Sequence, residues 1–338
     1  MQENLPKMPP QAKCTRCRAR AAVALPSHNS RFCTACFLHF FRTAVTRGLK
    51  KAGPEKDTPL MVAVSGGKDS LTAWAVLDDL GFETRGLHLN LGVEGYADAS
   101  RQAVAEFAQS RGLPWAEYSF KQEFGYSLPE IHDILHYKIC AVCGKLKRHF
   151  LNRLTAREGY SCLATGHNLD DEASRLLGNL VGDRQEFVKR QYPYLPSPHP
   201  AIPARFKPLY RLEIKEIREY CRIQDIRPVQ GSCPYATGAT SHYFREALEY
   251  LEEKMPGTKR GLLFNYLRKP KELGFSGGFT PCRICGEPCP AETCPVCGLK
   301  KRVQDMAAKR NKKTNVPGKP TQDRKSTRLN SSHRLRSR

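Results

Sequence analysis

One stretch, residues 60–81, constrains the fold of this chain more than any other. Leu60 to Val64 is a short apolar run, which is typical of a buried strand. A polar turn with two glycines follows, and then a helical pattern of apolar residues that stops at Gly81. A strand, a glycine turn and a helix in this order present backbone N–H groups and a positive helix end to a phosphate. The stretch therefore predicts an α/β core with a phosphate site after a strand.

The turn itself reads Ser65-Gly66-Gly67-Lys68-Asp69-Ser70. Its small residues let a phosphate approach the backbone, Lys68 adds a positive charge, and Ser70 adds a hydroxyl in the first helical turn. It is not a Walker A loop, because no glycine precedes Gly67 at the spacing that motif needs. An ordinary turn would need one glycine and would have no use for the lysine. We interpret the turn as a phosphate-binding site.

Strands and helices alternate from about residue 59 to residue 182. The predicted strands are 60–64, 84–91, 115–120 and 161–165, and the predicted helices are 69–80, 96–111, 144–158 and one that follows Glu172. This alternation predicts a doubly wound parallel sheet. Ligands bind beyond the carboxyl ends of such strands, so the turn and the run Gly166-His-Asn-Leu-Asp-Asp-Glu172 are expected to face one pocket.

The chain continues beyond this region with a loop and three helices. Residues 183–210 are rich in proline, with basic and aromatic residues interleaved, and we expect a loop without regular structure there. Its composition suits contact with nucleic acid and is equally compatible with a solvated loop. Helices are predicted at 213–224, 240–254 and 258–268.

Two groups of cysteines have the spacing of four-thiolate zinc sites. In a cytosolic chain such groups favour metal over disulfides. Cys289 is a fifth cysteine in the second group and could replace one ligand. The first group is Cys14, Cys17, Cys33 and Cys36, and the second is Cys282, Cys285, Cys294 and Cys297.

Three other cysteines lie near the ends of predicted elements. Cys140-x2-Cys143 opens a helix, and Cys233 follows Gly-Ser in a turn. The remaining Cys162 and Cys221 are expected to pack as small apolar side chains. Three thiolates can hold a catalytic metal or an iron–sulfur cluster with one open iron, and Cys143 with Cys233 could also act as a persulfide and resolving pair. The spacing alone leaves these alternatives open.

The charge of the chain is strongly positive. The net charge is +22, which favours a polyanionic partner, but residues 298–338 hold 14 Lys or Arg and 2 Asp and so contribute 12 of these charges. No run approaches the roughly 18 apolar residues of a membrane helix, and the polar, proline-rich start does not read as a signal peptide, so we expect a cytoplasmic protein. Four regions are expected: a zinc module at 1–45, a catalytic domain at 55–270, a zinc ribbon at 278–300 and a disordered basic tail at 301–338. The stretch 325–338 does not read as part of a folded domain.

The phosphate-binding turn resembles the signature of the PP-loop ATP pyrophosphatases. With Cys140-x2-Cys143, Gly166–Glu172, Cys233-Pro234 and two flanking zinc modules, the chain is similar to tRNA 2-thiolation enzymes from about residue 14 to 297. The resemblance implies that ATP binds on Ser65–Ser70 and that the C2 oxygen of a tRNA uridine attacks its α-phosphate. Sulfur then displaces AMP from the adenylated base.

The resemblance also implies roles for individual residues. Cys140, Cys143 and Cys233 would hold a [4Fe–4S] cluster whose fourth iron carries the incoming sulfur, and Lys147 and Asp171 match positions of the family's active site. Asp69 or Asp171 would bind Mg²⁺. The ATP-binding set is Ser65, Gly66, Gly67, Lys68, Asp69, Ser70, His88, Gly166 and His167.

Two segments indicate a branch of that family. Cys233-Pro-Tyr-x-x-Gly-Ala239 and Met255-Pro-Gly-Thr-Lys259 resemble the branch that thiolates uridine or 5-methyluridine 54 of the T loop, although four cysteines stand where that branch more often has a mixed Cys/His zinc site. Wobble-uridine thiolation is the alternative, and a zinc-based RNA-binding protein without catalysis is a second. The resemblance implies a ubiquitin-like carrier that brings sulfur as a thiocarboxylate, and a homodimer.

Overall fold

The computed structural model describes residues 9, 11–136, 139–231, 233–235, 240–268 and 278–314. Residues 236–239, which carry part of the resemblance to the T-loop branch, and the tail from 315 lie outside them. At the centre of the fold is a six-stranded sheet with the order β5-β4-β3-β6-β8-β7. The strands are β3 (Leu60–Ala63), β4 (Thr84–Asn90), β5 (Trp115–Ser119), β6 (Cys162–Thr165), β7 (Tyr194–Leu195) and β8 (Ala204–Phe206).

All neighbouring strands of this sheet are parallel except at one edge, where the short β7 runs antiparallel to β8. Two small hairpins stand apart from it, one formed by β1 (Val23–Leu25) and β2 (Ser30–Phe32) and the other by β9 (Thr280–Pro281) and β10 (Pro288–Cys289). The α-helices are α1 (Thr34–Ala52), α2 (Lys68–Asp79), α3 (Tyr96–Arg111), α4 (Phe120–Phe124), α5 (Leu128–Leu135), α6 (Ile139–Arg157), α7 (Leu169–Val181), α8 (Gln185–Lys189), α9 (Ile214–Ile223), α10 (Thr240–Lys254), α11 (Thr258–Arg268) and α12 (Pro295–Thr314).

Helices cover both faces of the sheet. Successive side chains of a strand point to opposite faces, so Leu60 and Val62 pack into one layer and Met61 into the other. The first layer is built with α1, α2, α3 and α9, and the second with α4, α5, α6 and α12. The predicted α/β fold with a doubly wound, mainly parallel sheet is confirmed, with β7 as an antiparallel addition.

The two cysteine modules lie on opposite faces of this sheet. Val23, Leu25 and Phe37 of the N-terminal module join the first layer. Cys282 and Cys294 of the C-terminal module join the second. Each module therefore closes one side of the core, which the order of the modules along the chain does not reveal.

Two predictions about regular structure were wrong. The expected loop 183–210 contains α8, β7 and β8, and Cys162 to Ala164 pair in parallel with Ala204 to Phe206. A three-residue strand is too short to show a period of its own, and it forms because it pairs with the otherwise open side of β6. The expected disorder from residue 301 is also incorrect as far as Thr314, because α12 continues there and buries Val303 in the second layer.

The sequence also missed α4 and α5. The start of α5 carries a local signal, since Ser127 and Glu130 form a reciprocal capping box. The predicted bounds 96–111, 240–254 and 258–268 agree with α3, α10 and α11. Within the described ranges, each helix is too short or too polar to span a lipid bilayer.

Candidate active site

The candidate site lies where the direction of strand order reverses. The chain runs from β3 outward to β4 and β5 and then returns to β6 on the other side of β3, with Ala63 opposite Thr165. The loops that follow β3 and β6 therefore flank one crevice at the carboxyl edge of the sheet. Open α/β sheets bind ligands at this kind of switch point. The structure thus brings Ser65–Ser70 and Gly166–Glu172 together, as predicted.

The phosphate-binding turn is held by its own side chains. Ser70 Oγ donates to the carbonyl of Gly67 at 2.9 Å and accepts from the backbone N–H of Ser65 at 3.1 Å. Gly66 has a φ of +73°, and a Cβ there would lie 2.6 Å from the carbonyl oxygen of Ser100. Only glycine fits this backbone, so the cradle at the start of α2 is already formed.

The two loops of the crevice are joined side chain to side chain. Asn168 Nδ2 donates to Asp69 Oδ1 at 3.0 Å, and Lys68 Nζ lies 2.8 Å from Asp69 Oδ2. A Cβ on Gly166 would lie 2.7 Å from the backbone of Asp69 and Ser70. The loop after β6 can approach the start of α2 only because residue 166 is glycine.

Asp171, in the first turn of α7, lies in an environment that raises its pKa. Its carboxylate closes a capping box with Asn168 and accepts from Arg245 at 2.5 Å. Burial raises the pKa of Asp171 to about 6, with Asp69 and Glu172 adding to the rise and Arg245 opposing it. Two carboxylates that repel each other at a phosphate site are a donor set that suits a divalent cation such as Mg²⁺.

Two histidines stand on either side of the crevice as neutral imidazoles. His88, in β4, places Nδ1 2.9 Å from the carbonyl of Val64, while its buried Nε2 has no hydrogen-bond partner in the described part of the chain. Burial lowers the pKa of His88, and burial with nearby arginines lowers that of His167 to about 3. The unpartnered Nε2 of His88 is a polar atom that a bound nucleotide could satisfy.

The cysteine-bearing segments meet at the same edge. The backbone N–H of Val229 donates to the carbonyl of Gly66 at 2.8 Å, which ties the segment that leads to Cys233 to the phosphate turn. Cys140 Sγ, in the first turn of α6, donates to the carbonyl of Tyr235 at 2.9 Å. One backbone hydrogen bond and one hydrogen bond from a side chain to the backbone therefore fix the segment around Cys233 between the turn and α6.

The three thiols share one neighbourhood with a lysine. Burial raises the pKa of Cys143, the thiols of Cys233 and Cys140 add to the rise, and Lys147 opposes it. The three sulfur atoms do not all lie within 4.8 Å of one another, which is the spacing that suits one ion. A cluster binds each thiolate through a different iron and needs a wider set.

The cysteines predicted to bind zinc do converge. In each four-cysteine set the sulfur atoms lie within 4.8 Å of one another, so each set could hold one tetrahedral ion. Cys289 is outside the second set, because its Sγ donates to the carbonyl of Ala291 at 2.7 Å. Cys162 and Cys221 are buried in the first layer, as expected, and burial raises the pKa of Cys162 to about 12.

The sequence missed a set of cations around the loop after β6. Lys207 Nζ lies 2.7 Å from Glu172 Oε2 in a buried ion pair, and Arg175 donates to His167 Nε2 at 3.3 Å. Burial lowers the pKa of Arg205 to about 10, with Arg148 and Arg175 as neighbouring charges. These residues belong to β8, to the chain just after it, and to α6 and α7, so they come close together only when the chain folds. The cluster gives the crevice a positive rim that suits phosphates.

Comparisons with known proteins agree with this geometry. Residues 13–38 match the model of the 2-thiouridine synthetase TtuA N-terminal LIM domain, and residues 41–248 match that of the PP-loop domain. The tRNA-5-methyluridine(54) 2-sulfurtransferase of Thermus thermophilus is 36% identical over 301 residues, which cover 88% of this chain and 94% of that protein. The protein of the same name from Thermotoga maritima is 33% identical, with 89% and 99% covered.

A solved structure is similar across the same span. The U34-tRNA thiolase NcsA from Methanococcus maripaludis, solved with its [4Fe-4S] cluster, superposes with a TM-score of 0.74 at 26% identity and covers 86% of this chain and 96% of that one. The chain therefore belongs to the PP-loop family, in the branch of the tRNA 2-thiolation enzymes. The resemblance stated from the sequence is confirmed, and an RNA-binding protein without catalysis is not favoured.

Proposed function

We propose that this protein is an ATP-dependent tRNA sulfurtransferase that replaces the C2 oxygen of uridine or 5-methyluridine 54 with sulfur. The observation that carries the proposal is the convergence of the phosphate turn, the Asp69–Asn168 pair and three cysteines at one switch point. The relatives named for position 54 are 36% and 33% identical to this chain, whereas the similar wobble-uridine thiolase structure is 26% identical. That difference supports the T-loop position.

The first step activates the base. The backbone N–H groups of the turn and the Lys68 ammonium bind the phosphates of ATP, and Asp69 with Asp171 would hold Mg²⁺. The C2 oxygen of the uridine attacks the α-phosphate, a C–O–P linkage forms, and the bond to pyrophosphate breaks. The Arg175 guanidinium, which donates to His167 Nε2, stabilises the charge that develops. The poor leaving oxygen has now become part of AMP.

The second step delivers sulfur to the activated carbon. Cys140, Cys143 and Cys233 would hold a [4Fe–4S] cluster, which supplies a binding position for sulfide at its open iron. The Val229–Gly66 hydrogen bond and the Cys140–Tyr235 contact fix these cysteines beside the phosphate turn. Lys147 lies one turn after Cys143 and keeps a positive charge near the incoming sulfur. Sulfur forms a bond to C2, and the C2–O bond breaks to release AMP.

We include partners and setting in the proposal. The substrate is tRNA, the sulfur donor is a thiocarboxylate on a ubiquitin-like carrier, and the two cysteine modules hold one Zn²⁺ each. Large apolar side chains are exposed on α7 and on its neighbours α8 and α10, and we assign the surface of a homodimer to these helices. The side chains are Leu180, Val181, Phe187, Tyr243 and Tyr250. The reaction would take place in the cytoplasm, where tRNA and reduced thiols are found together.

The decisive experiment is mass spectrometry of nucleosides from the tRNA of a deletion strain. We expect the 2-thio nucleoside of the T loop to disappear and to return with the wild-type gene, but not with Cys140→Ser. Cys289→Ser is the matched control, because that thiol lies in the C-terminal module and is engaged with the carbonyl of Ala291. Loss of an anticodon thiouridine instead would show wobble thiolation, and unchanged tRNA would contradict the proposal.

A second assay separates the two chemical steps. Lys68→Ala should lose pyrophosphate formation while the anaerobically reconstituted protein keeps its visible iron–sulfur absorbance. Cys140→Ser should lose the absorbance and thiolation together. If Cys140→Ser still thiolated tRNA with no cluster bound, the persulfide alternative on Cys143 and Cys233 would replace the cluster.

A further inference from the structure

A basic groove that the catalytic proposal does not use runs between the N-terminal cysteine module and α11. A cavity of about 560 Å³ lies among β2, α1 and α11, and a second of about 280 Å³ adjoins it. Arg211 and Phe264 line both, so the two cavities form one surface, which we call the α11 groove. Its arginine and lysine lining is Arg16, Arg47, Lys51, Arg211, Arg260 and Arg268.

The charges of the α11 groove are all of one sign. No Asp or Glu is found among the described residues that line either cavity. Within the described ranges no carboxylate lies within ion-pair distance of Arg16, Arg47 or Arg211. Clefts lined by one sign of charge concentrate the opposite ion, so the groove suits an anion.

Arg260 is the fixed cation of the α11 groove. Its guanidinium lies 3.5 Å from Glu213 and 3.6 Å from Glu216, which are buried beneath it, and it donates to the carbonyl of Arg211 at 3.0 Å. His28 Nε2 lies 3.0 Å away. The Nε of Arg260 is buried and has no hydrogen-bond partner in the described part of the chain. These buried contacts hold the floor of the groove rigid.

Aromatic faces stand among the cations. The guanidinium of Arg211 lies 4.4 Å from the ring centre of Phe264, and that of Arg260 lies 5.6 Å from it on the same ring. On the opposite wall, Phe32 and Phe40 are stacked with ring centres 5.4 Å apart. Aromatic rings and arginine planes beside phosphate-binding charges are the means by which proteins bind unstacked nucleotides.

We propose that the α11 groove binds a single-stranded or looped segment of the substrate tRNA at a distance from the reacting base. Phosphates would lie on Arg16, Arg47 and Arg211, and an unstacked base would lie against Phe264. Taken together, the two cavities have a volume within the range of roughly 300–1,000 Å³ that is typical of small-ligand pockets. This space is enough for a nucleotide. The inference rests on the proposed function in that the substrate is tRNA. None of the phosphate-turn residues or cluster cysteines lines the groove.

The helix that carries the groove also touches the catalytic loop. Lys259, next to Arg260 in α11, is buried, and its Nζ lies 2.6 Å from Asp170 Oδ1 in the first turn of α7. Asp171 follows in the same turn. RNA bound on α11 is therefore held at a fixed distance from the crevice in which the base reacts.

The test measures binding of fluorescent unmodified tRNA to the zinc-loaded protein at several salt concentrations. The variants are Arg47→Gln, Arg211→Gln and the double substitution, with Arg218→Gln as the control, because Arg218 is exposed on α9 and lines neither cavity. We expect the double variant to bind about 10-fold more weakly, and the slope of log K against log salt to fall by roughly 0.7–0.9 for each lost phosphate contact. Zinc content and ATP binding without tRNA should not change.

A cross-linking arm identifies the occupant directly. Arg47→p-benzoylphenylalanine should give a covalent product with tRNA on irradiation. A product only with the acidic carrier protein would overturn the inference, and so would unchanged affinity and salt slope in the double variant. Failure of the proposed function is recognised separately, because the wild-type protein itself would then neither bind nor thiolate tRNA.

Discussion

The amide of Asn168 donates to the carboxylate of Asp69 at 3.0 Å, and this bond joins the starts of α7 and α2. The two residues are 99 positions apart in the chain, but they follow neighbouring strands of the sheet. The same Asn168 side chain also accepts from the backbone N–H of Asp171 as the cap of α7. One residue thus holds both carboxylates of the proposed ATP site, because the backbone N–H of Asn168 also donates to Asp171 Oδ2 at 3.3 Å.

Asn168→Asp separates these two roles. Aspartate caps a helix as well as asparagine does, so we expect the melting temperature to stay close to that of the wild type. The new carboxylate repels Asp69, and the rate of pyrophosphate release in the presence of tRNA should fall at least about 10-fold. Ser127→Ala is the control, since it should cost about 1 kcal/mol by removing the cap of α5 while it leaves the rate unchanged. Full activity in Asn168→Asp would rule out the orienting role.

Gly166→Ala tests the close approach of the two loops. The added methyl group would lie 2.7 Å from the backbone of Asp69, which cannot move without opening the phosphate turn. We expect ATP binding, measured by calorimetry, to weaken by at least about 10-fold. Gly261→Ala, in α11, has no atom within 4 Å of the new methyl group and should bind ATP normally. Equal affinity in both variants would contradict the tight contact.

The metal content of single cysteine variants tests the zinc assignments. Cys285→Ser removes one sulfur of the second four-thiol set, and we expect one zinc ion per chain to be lost in elemental analysis. Cys289→Ser should keep both ions, because Cys289 Sγ is engaged with the carbonyl of Ala291. Zinc loss in Cys289→Ser would instead make that residue a ligand.

The Lys207–Glu172 pair should dominate the stability of the loop after β6. Its charged atoms are 2.7 Å apart and almost fully buried, so Lys207→Met leaves the buried Glu172 carboxylate with only the longer, 3.9 Å contact to the half-exposed Arg175. We expect a loss of roughly 3–5 kcal/mol in the free energy of unfolding by urea titration. Adding Glu172→Gln should restore part of it, and Arg222→Met, which breaks an exposed pair, should cost less than about 1 kcal/mol. A small effect of Lys207→Met alone would contradict the burial of this pair.

Glu213 makes stability depend on pH. Burial, with Glu216 beside it, raises the pKa of Glu213 to about 7, so the folded protein holds this proton more tightly than the unfolded chain. The contribution is fully present below the unfolded pKa of about 4.5 and is lost as the pH rises through 7. Relative to the wild type, Glu213→Gln should therefore gain stability between about pH 5.5 and pH 8, by at most roughly 3 kcal/mol. A difference that does not vary with pH in denaturant titrations would contradict the raised pKa.

Several parts of the site could be predicted because neighbouring residues encode them. The strand, turn and helix of residues 60–81 specify a phosphate cradle, since Gly66 and Ser70 act within one loop. The two Cys-x2-Cys pairs of each module specify a metal set, since one tight turn presents both sulfurs of a pair. The capping box of Asn168 and Asp171 is local in the same way.

Long-range pairing decided the rest. The three-residue β8 exists because β6 offers it a partner, and the contact between Val229 and Gly66 that places Cys233 joins segments 163 positions apart. Burial within the folded chain also sets the pKa of Asp171 and of His167, which no local pattern contains. Hydrogen bonds and desolvation of this kind depend on distance in space.

The sequence by itself thus determined the chemistry that the chain carries: a phosphate turn, two metal modules and three further thiols. Only the tertiary structure decided that the turn and the thiols share one crevice and that the two modules cover opposite faces of the sheet. It also decided that arginines of the N-terminal cysteine module, of α1 and of α11 line one groove. The physical reason is that residue types and short spacings fix which groups are available, whereas the packing of strands and helices fixes which of them meet.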